Sequence, residues 1–293
     1  MRVVFIGAVE FSAKALEVLI DMPIQLVGVC TLKESKYNAD HVDLRPIAEK
    51  RNIPVLYTPD INSEANLSWI CELKPDVIFC LGWSRLVRKT LLDLPHQGVI
   101  GFHPAALPAN RGRHPIIWAL VLGLQETAST FYFMDEGADS GDIISQEFLK
   151  IIDSDDAGIL YEKITKTALK QLGEFVPRLA QGNCQRMLQD TTRVNVWRKR
   201  RKPDGCIDWR MAAVSIHNLV RGLSRPYVGA HFEREGADIK VWRTSVEKST
   251  LENIEPGKVL ECSEKGVLVK AGIDAIRLHE IEPSISIRVG EYL

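Results

Sequence analysis

The chain has 293 residues, of which 45% are hydrophobic and 26% charged, a composition typical of a globular protein that buries sizeable cores. This length exceeds what one hydrophobic core usually organises, so it predicts one large domain and a smaller one. Lysine and arginine total 37 against 38 acidic residues, a formal net charge of −1, and this balance argues against obligate binding of nucleic acid.

The amino-terminal run Met1 to Gly7 is a short apolar strand without the basic flank and longer apolar stretch of a signal peptide. No run reaches the roughly 20 apolar residues of a membrane span. A cytoplasmic protein without a membrane partner is therefore expected. The six cysteines are scattered without a metal-binding spacing, so they are interpreted as reduced, mostly buried thiols.

Strand-like and helix-like segments alternate through the first part of the chain. Apolar, β-branched runs predict strands at Val3 to Gly7, Ile24 to Thr31, Pro54 to Tyr57, Val77 to Leu81 and Val99 to His103. Helices are predicted between them, at Ser12 to Asp21, Arg45 to Arg51, Ser63 to Leu73 and Val87 to Leu94. This alternation predicts an α/β fold with a Rossmann-like, mostly parallel sheet, helices on both faces and a ligand crevice at the carboxyl edge of the strands.

The turn after the first strand lacks the three-glycine pattern of dinucleotide-binding proteins. Glu10 also stands where a phosphate would need backbone N–H groups, so a nicotinamide cofactor is excluded at this position. The segment Gly7 to Ser12 is interpreted as a plain strand-to-helix turn capped by Ser12.

The second part of the chain differs in character. A long helix is predicted from Ala157 to Ala180, followed by a basic, turn-rich joint, Arg198 to Gly205. One more helix, Ala212 to Leu223, precedes short alternating segments that indicate a small β-rich, barrel-like domain. The predicted organisation is a catalytic domain over 1–190, a linker over 191–205 and a carboxyl-terminal domain over 206–293.

The stretch from Ile100 to Gly141 carries the candidate chemistry. His103 ends one predicted strand, and Asp139 lies beyond the next. Parallel strands deliver their carboxyl ends to one edge of a sheet, so the two side chains are expected to meet there. A carboxylate beside an imidazole orients the ring and favours its protonated form, which makes the pair a proton-handling device.

The motifs of this stretch resemble those of the folate-dependent formyltransferases, and the resemblance covers nearly the whole chain. That family includes methionyl-tRNA formyltransferase, the sugar N-formyltransferases and the formyltransferase half of the bifunctional enzyme that modifies lipid A aminoarabinose. The residues that carry the resemblance are His103 to Pro108, Arg111-Gly112, Trp118, Gly123, Thr130 and Met134 to Gly141. Later segments look like the family's carboxyl-terminal barrel domain and are more similar to its sugar-modifying branch: Pro203 to Trp209, Asn218 to Arg221, Pro226 to Ala230 and Lys240 to Trp242.

The resemblance implies transfer of a formyl group from 10-formyltetrahydrofolate to an amine, without a metal. It assigns catalysis to His103, Asp139 and the position of Gly101, with His103 acting either as a proton shuttle or as an electrostatic partner of the oxyanion. The residues that match the cofactor-binding positions are Arg85, Leu86, Val87, Arg113, Asp135, Glu136, Gly137, Ala138 and Asp139.

Gly101 is a departure, because the family has an asparagine there whose amide is thought to help bind the oxyanion. Loss of such a donor can cost on the order of 100-fold or more in rate. Either another donor, such as a backbone N–H or an ordered water, replaces the amide, or the chain is impaired; replacement is favoured because the surrounding motif is intact.

The expected substrate is a nucleotide-linked amino sugar. The loop Lys33 to Asp40, where the tRNA-modifying branch carries a basic segment, has mixed charge and is poorly suited to hold tRNA. The basic run Arg198 to Lys202 is interpreted as a solvated linker or, if it binds phosphate, as a site for a nucleotide diphosphate. Methionyl-tRNA formylation and a non-catalytic folate or nucleotide-sugar binding module are the alternatives, and the resemblance is compatible with a homodimer.

Overall fold

The computed structural model describes residues 1–35 and 38–293, and the chain forms two compact units. The first unit comprises Met1–Gly112, Thr127–Leu149 and Glu162–Trp197. The second comprises Arg113–Glu126, Lys150–Tyr161 and Arg198–Leu293. The second unit thus includes two segments that precede the predicted linker.

Among the residues that the structure describes, nine strands and five α-helices carry residues of the first unit. The strands are β1 (Arg2–Ile6), β2 (Gln25–Thr31), β3 (Val55–Tyr57), β4 (Val77–Cys80), β5 (Val99–His103), β6 (Arg111–Gly112), β7 (Glu126–Phe133), β8 (Ile143–Lys150) and β9 (Val196–Trp197). The α-helices of the described residues are α1 (Glu10–Ile20), α2 (Arg45–Glu49), α3 (Glu64–Glu72), α4 (Lys89–Leu92), α5 (Pro115–Val121), α6 (Ala157–Ala180) and α7 (Ala213–Leu223). Of these, α5 and α7 belong to the second unit, and α6 begins there and ends in the first.

Seven strands form the main sheet in the order β3-β2-β1-β4-β5-β7-β8. The first five pair in parallel, and β7 pairs antiparallel to β5, which confirms the mostly parallel sheet. Because side chains alternate along a strand, β4 serves two cores. Ile78 and Cys80 pack in a cluster with residues of α3 and α4, while Phe79 lies against Phe175 of α6. Helices therefore cover both faces of the sheet.

β7 does not run in the direction that the sequence predicted, and this changes the explanation of why His103 and Asp139 meet. Gly101 pairs with Tyr132, and His103 pairs with Thr130, so the end of β7 lies beside the start of β5. Parallel strands therefore do not deliver Asp139 to His103. Instead, the loop after β7 must fold back along the sheet to reach the end of β5.

The turn between β1 and α1 is a close approach of backbone segments rather than a phosphate loop. The Ser12 hydroxyl accepts hydrogen bonds from the backbone N–H groups of Ala8 and Val9 at 3.2 Å each, and donates to the Leu81 carbonyl at 2.6 Å. Ser12 thus caps the turn, as predicted, from a position inside the first turn of α1. A Cβ at Gly7 would lie 2.4 Å from the Leu81 carbonyl oxygen, so this position requires glycine.

Gly7→Ala is expected to lower the free energy of unfolding by about 1–3 kcal/mol, because backbone must move to admit the methyl group. Gly173→Ala, on the exposed face of α6 with no atom within 4 Å of the new Cβ, is expected to raise it by about 0.5–1 kcal/mol. The midpoints of urea unfolding measure both changes. Equal midpoints for the two variants would contradict the close packing at Gly7.

The second unit contains a five-stranded antiparallel sheet in the order β10-β11-β14-β13-β12. Its strands are β10 (Ala230–Arg234), β11 (Ala237–Glu247), β12 (Val259–Ser263), β13 (Gly266–Lys270) and β14 (Ala275–Glu282). These strands form the predicted small β-rich domain. Ile117 of α5 shares its hydrophobic core with Ile216 and Leu219 of α7, which explains why the segment around α5 belongs to this unit.

The six cysteines differ in their exposure to solvent. Cys30 and Cys80 are buried, and burial raises the pKa of the Cys80 thiol to about 12. The expectation that the cysteines are mostly buried is wrong, because Cys71, Cys206 and Cys262 are exposed and Cys184 is half-buried.

Among the described residues, no helix is long and apolar enough to span a bilayer.

Candidate active site

His103 is buried at the end of β5, with 4% of its surface exposed. Its Nε2 lies 2.7 Å from the carbonyl oxygen of Asn110. A carbonyl oxygen can only accept a hydrogen bond, so Nε2 must carry the hydrogen. In the neutral ring, the Nδ1 atom is therefore unprotonated and can accept a proton.

Asp139 faces that Nδ1 atom. Its Oδ2 lies 3.6 Å from His103 Nδ1, which is longer than a hydrogen bond and close enough for a strong charge interaction. The same oxygen accepts the backbone N–H of Gly112 at 2.9 Å, and Oδ1 accepts the Tyr132 hydroxyl at 2.8 Å. The carboxylate is thus held by a donor on each oxygen while it faces the imidazole.

The loop after β7 folds back because its own side chains close it. The Asp135 carboxylate accepts hydrogen bonds from Gly137 N at 3.0 Å and from the Ser140 hydroxyl at 2.6 Å. Asp139 adopts a left-handed conformation, with φ of 54°, which a short polar side chain tolerates. Gly141 lies so close to β7 that a Cβ would be 1.8 Å from the Phe133 carbonyl oxygen. These features turn the chain and direct Asp139 toward His103.

The Asn110 carbonyl that orients His103 is itself held by a distant segment. Asn110 adopts φ of 62°, and its N–H donates to the Asn195 side-chain oxygen at 2.8 Å. The next residues, Arg111 and Gly112, form β6 and pair in parallel with β9. The segment that precedes β9 therefore fixes the carbonyl that sets the imidazole tautomer.

Gln189 joins the same segment to the loop that carries Asp139. Its amide nitrogen donates to the carbonyl oxygens of Asp139 and Gly141, at 2.9 and 2.7 Å. Its side-chain oxygen accepts the Arg111 guanidinium at 2.6 Å. The backbone on both sides of the His103 and Asp139 pair is thereby tied to one side chain.

Sequence reasoning missed Asn110, Tyr132, Gln189 and Asn195. Asn110 had a usable signal, because asparagine before Arg-Gly is typical of a left-handed turn. Tyr132, Gln189 and Asn195 had none, since their contacts join residues that only the fold brings together. Gly101 lies in β5, where the side chains of Tyr132 and Met134 occupy the space over it.

The predicted cofactor residues Arg85, Leu86 and Val87 lie between β4 and α4. Asn62 fixes their backbone, because its side chain donates to the Leu86 carbonyl at 2.9 Å and accepts the N–H of Arg88 at 2.8 Å. Leu86 is 71% exposed and can contact a ligand. Val87 is buried in the hydrophobic core, so only its backbone can do so.

The remaining predicted cofactor residues divide between the units. Asp135, Glu136, Gly137 and Ala138 are exposed in the loop that ends at Asp139. Glu136 lies 4.0 Å from Lys89 Nζ of α4, so this loop and the loop after β4 border one region of the first unit. Arg113 belongs to the second unit, directly before α5.

A separate observation, on Trp83, indicates that a folate can bind in this region of the first unit. Trp83, which follows β4, has a buried indole Nε1 without a hydrogen-bond partner among the described residues. A buried donor of this kind normally has a partner, and a pterin ring carries several acceptors. Leu86, three residues later in the chain, has an exposed apolar side chain that is available to such a ligand. No group of three or more His, Cys, Asp or Glu side chains in the described part of the chain is placed to hold a metal.

Comparison with known proteins identifies the class. The formyl transferase family model matches residues 1–176, and the model of the formyl transferase C-terminal domain matches residues 199–289. The chain is 33% identical to the methionyl-tRNA formyltransferase of Desulforamulus reducens over 286 residues, covering 96% of this chain and 90% of that protein. It is 31% identical to the methionyl-tRNA formyltransferase of Acetivibrio thermocellus, covering 100% and 96%.

Two solved structures share the fold at low sequence identity. The N-formyltransferase of Helicobacter canadensis, in complex with folinic acid and dTDP-3-aminofucose, aligns with a TM-score of 0.73, 17% identity, and coverage of 95% of this chain and 99% of that one. The sugar 3N-formyl transferase WlaRD, with dTDP and 5-N-formyl-THF, aligns with a TM-score of 0.70, 16% identity, and coverage of 97% and 99%.

The chain belongs to the formyltransferase family. It is a folate-dependent N-formyltransferase.

Proposed function

We propose that this enzyme formylates the amino group of a nucleotide-linked amino sugar. This choice of substrate rests on how the cations of the basic run Arg198 to Lys202 are paired. The Arg198 guanidinium binds both oxygens of Asp204, at 2.8 and 2.5 Å, and holds the pKa of that carboxyl well below its usual range. Lys202 Nζ lies 2.8 Å from Asp238. Two of the five cations in the run are thus neutralised within the second unit, which reduces its attraction for a long polyanion.

The cationic groups that remain suit a smaller anion. Arg200 is buried, with its guanidinium 4.6 Å from the centre of the Trp118 ring, and its Nε has no hydrogen-bond partner within the described residues. His114 Nδ1 is also buried and unpaired there. Burial lowers the pKa of His114, and the charges of Arg113, Lys199 and Arg200 lower it further. A diphosphate can supply acceptors to such a group of donors.

The loop after β2 adds no positive field. Its described charged residues are Lys33, Glu34 and Asp40, one cation against two anions. Lys36 and Tyr37, which belong to the same mixed-charge loop in the sequence, lie outside the described residues. By sequence, the two lysines of the loop balance Glu34 and Asp40, which gives tRNA little electrostatic attraction to this part of the first unit.

For the reaction itself, we assign proton transfer to His103. Bound 10-formyltetrahydrofolate would supply the formyl group: the amine would form a bond to the formyl carbon, the bond from that carbon to the folate nitrogen would break, and tetrahydrofolate would leave with a proton on that nitrogen. His103 Nδ1 takes the proton that leaves the attacking amine, because Nε2 is already protonated and bound to the Asn110 carbonyl. The Asp139 carboxylate, 3.6 Å away, stabilises the imidazolium that results. This assignment favours the role of proton acceptor over that of electrostatic partner for the oxyanion.

Methionyl-tRNA formylation remains the second candidate, favoured by relatives of that name at 31–33% identity. Dimerisation and a cytoplasmic location stay predictions.

An assay of tetrahydrofolate release separates these functions. With 10-formyltetrahydrofolate, turnover is expected on members of a panel of dTDP- and UDP-linked amino sugars and not on methionyl-tRNA. Formylation of tRNA alone would contradict the sugar assignment. Binding of folate or nucleotide without turnover on any amine would indicate a binding module instead.

A matched pair of variants tests the diphosphate contact. Lys199→Ala is expected to raise the KM for the nucleotide sugar several-fold, because an exposed cation beside His114 and Arg200 is lost. Lys202→Ala removes a cation that Asp238 already neutralises, and its KM should stay unchanged.

A further inference from the structure

The space beside Gly101 is already occupied. A Cβ at this position would lie 2.8 Å from Met134 Cγ and 3.0 Å from Tyr132 Cζ, closer than the 3.5–4.0 Å of a favourable carbon contact. The asparagine that the family resemblance leads one to expect therefore cannot be accommodated unless these side chains move. Position 101 is occupied by glycine because the side chains of Met134 and Tyr132 leave no room for a larger residue.

Tyr132 shares this space with Met134, whose Cγ is the nearer atom. It pairs directly with Gly101 across the β5 and β7 ladder, where opposite side chains are nearest neighbours. Its ring lies over the glycine, only 5% of its surface is exposed, and its hydroxyl donates to Asp139 Oδ1 at 2.8 Å. The same side chain thus lies over position 101 and reaches the carboxylate that faces His103.

We propose that Tyr132 is a positioning residue for formyl transfer: it stands in the place of a side chain at position 101 and holds Asp139 toward His103. This inference rests on the roles proposed above for Asp139 and His103. It explains how a chain without the asparagine retains an ordered site: the side chain that is absent at position 101 is compensated by the tyrosine at position 132.

The hydroxyl acts as a permanent donor. Burial raises the pKa of Tyr132 well above its ordinary value, and the neighbouring Asp139 raises it further, so the phenol stays protonated at working pH. A hydrogen bond to an ionised acceptor is about twice as strong as a neutral one. Without it, Asp139 keeps only the Gly112 N–H as a donor to its side chain among the hydrogen bonds described, and its charged form loses stabilisation.

Tyr132→Phe tests the hydroxyl while it keeps the ring. We expect kcat to fall about 10- to 100-fold, with the KM for folate nearly unchanged. The amine in this assay is dTDP-3-aminofucose, or methionyl-tRNA if that substrate alone supports turnover.

Tyr57→Phe is the matched control. It removes another tyrosine-to-aspartate hydrogen bond of the first unit, 2.5 Å long, from Tyr57 of β3 to Asp43. The strand β3 is at the opposite edge of the sheet, so kcat should not change. Unchanged kcat in Tyr132→Phe would overturn the proposal. If His103→Ala were also fully active, the assigned site itself would be wrong.

The exchange between positions 101 and 132 has its own test. Gly101→Asn alone should lower kcat and stability, because the new side chain meets Tyr132 and Met134. In a Tyr132→Ala background the same substitution should raise kcat, because the tyrosine ring is gone and the remaining neighbour, Met134, is a flexible side chain that can move aside. An effect of Gly101→Asn on kcat that is opposite in sign in the two backgrounds would support compensation between positions 101 and 132. An equal effect of Gly101→Asn in both backgrounds would overturn it.

Discussion

Replacing His103 by alanine is expected to lower kcat by about 10²- to 10⁴-fold, the usual contribution of a positioned general base. The imidazole is buried, its tautomer is set by the Asn110 carbonyl, and its Nδ1 faces Asp139. Solvent water cannot take over the proton with the same geometry. The fold should survive, because the imidazole hydrogen-bonds to one backbone carbonyl, and circular dichroism with tetrahydrofolate release measures both properties.

His96→Ala is the matched control for this loss. His96 also lies beside an aspartate, with Nδ1 3.7 Å from Asp76 Oδ1, but 69% of its side chain is exposed. Its substitution should leave kcat unchanged. Full turnover in His103→Ala would refute the assigned role, whichever amine is the substrate.

Asp139→Asn is expected to lower kcat by a similar factor, about 10²- to 10⁴-fold. The amide keeps the shape of the carboxylate but removes the charge that stabilises the imidazolium. It also has one acceptor oxygen, whereas Asp139 accepts hydrogen bonds on both oxygens, from Gly112 and Tyr132. One of those donors then loses its partner, so the loop should also become less ordered.

A surface aspartate provides the comparison. Asp21 forms an exposed ion pair with Arg51 at 3.0 Å, and pairs of this kind contribute little. Asp21→Asn should therefore have wild-type kcat and thermal stability. If Asp139→Asn matched it in kcat, Asp139 would have no part in the reaction.

The approximate positions of the strands and helices of the first unit followed from apolar periodicity, because a strand or helix that packs on a core must show that pattern. Strand direction did not follow. Periodicity is the same for a parallel and an antiparallel strand, so the antiparallel pairing of β7 with β5 was missed. The membership of α5 in the second unit was likewise invisible, because an apolar helix shows that it is buried without showing against what.

The residues of the site divide in the same way. His103 and Asp139 could be named from their types and from the motifs around them, and the structure places them 3.6 Å apart. Gln189 and Asn195 could not, because each acts through backbone groups 48 to 85 residues earlier in the chain. No local pattern marks a glutamine that happens to meet two carbonyl oxygens.

The sequence by itself determined the alternation of strands and helices, the formyltransferase motifs and the chemical types of the proton-handling pair. Those properties depend on residue identity and on short-range order along the chain. Only the tertiary structure decided that the loop after β7 folds back, that Asn110 sets the tautomer of His103, and that Tyr132 fills the space over Gly101. The physical reason is that hydrogen bonds and steric exclusion act over a few ångströms, and only folding brings distant segments within that range.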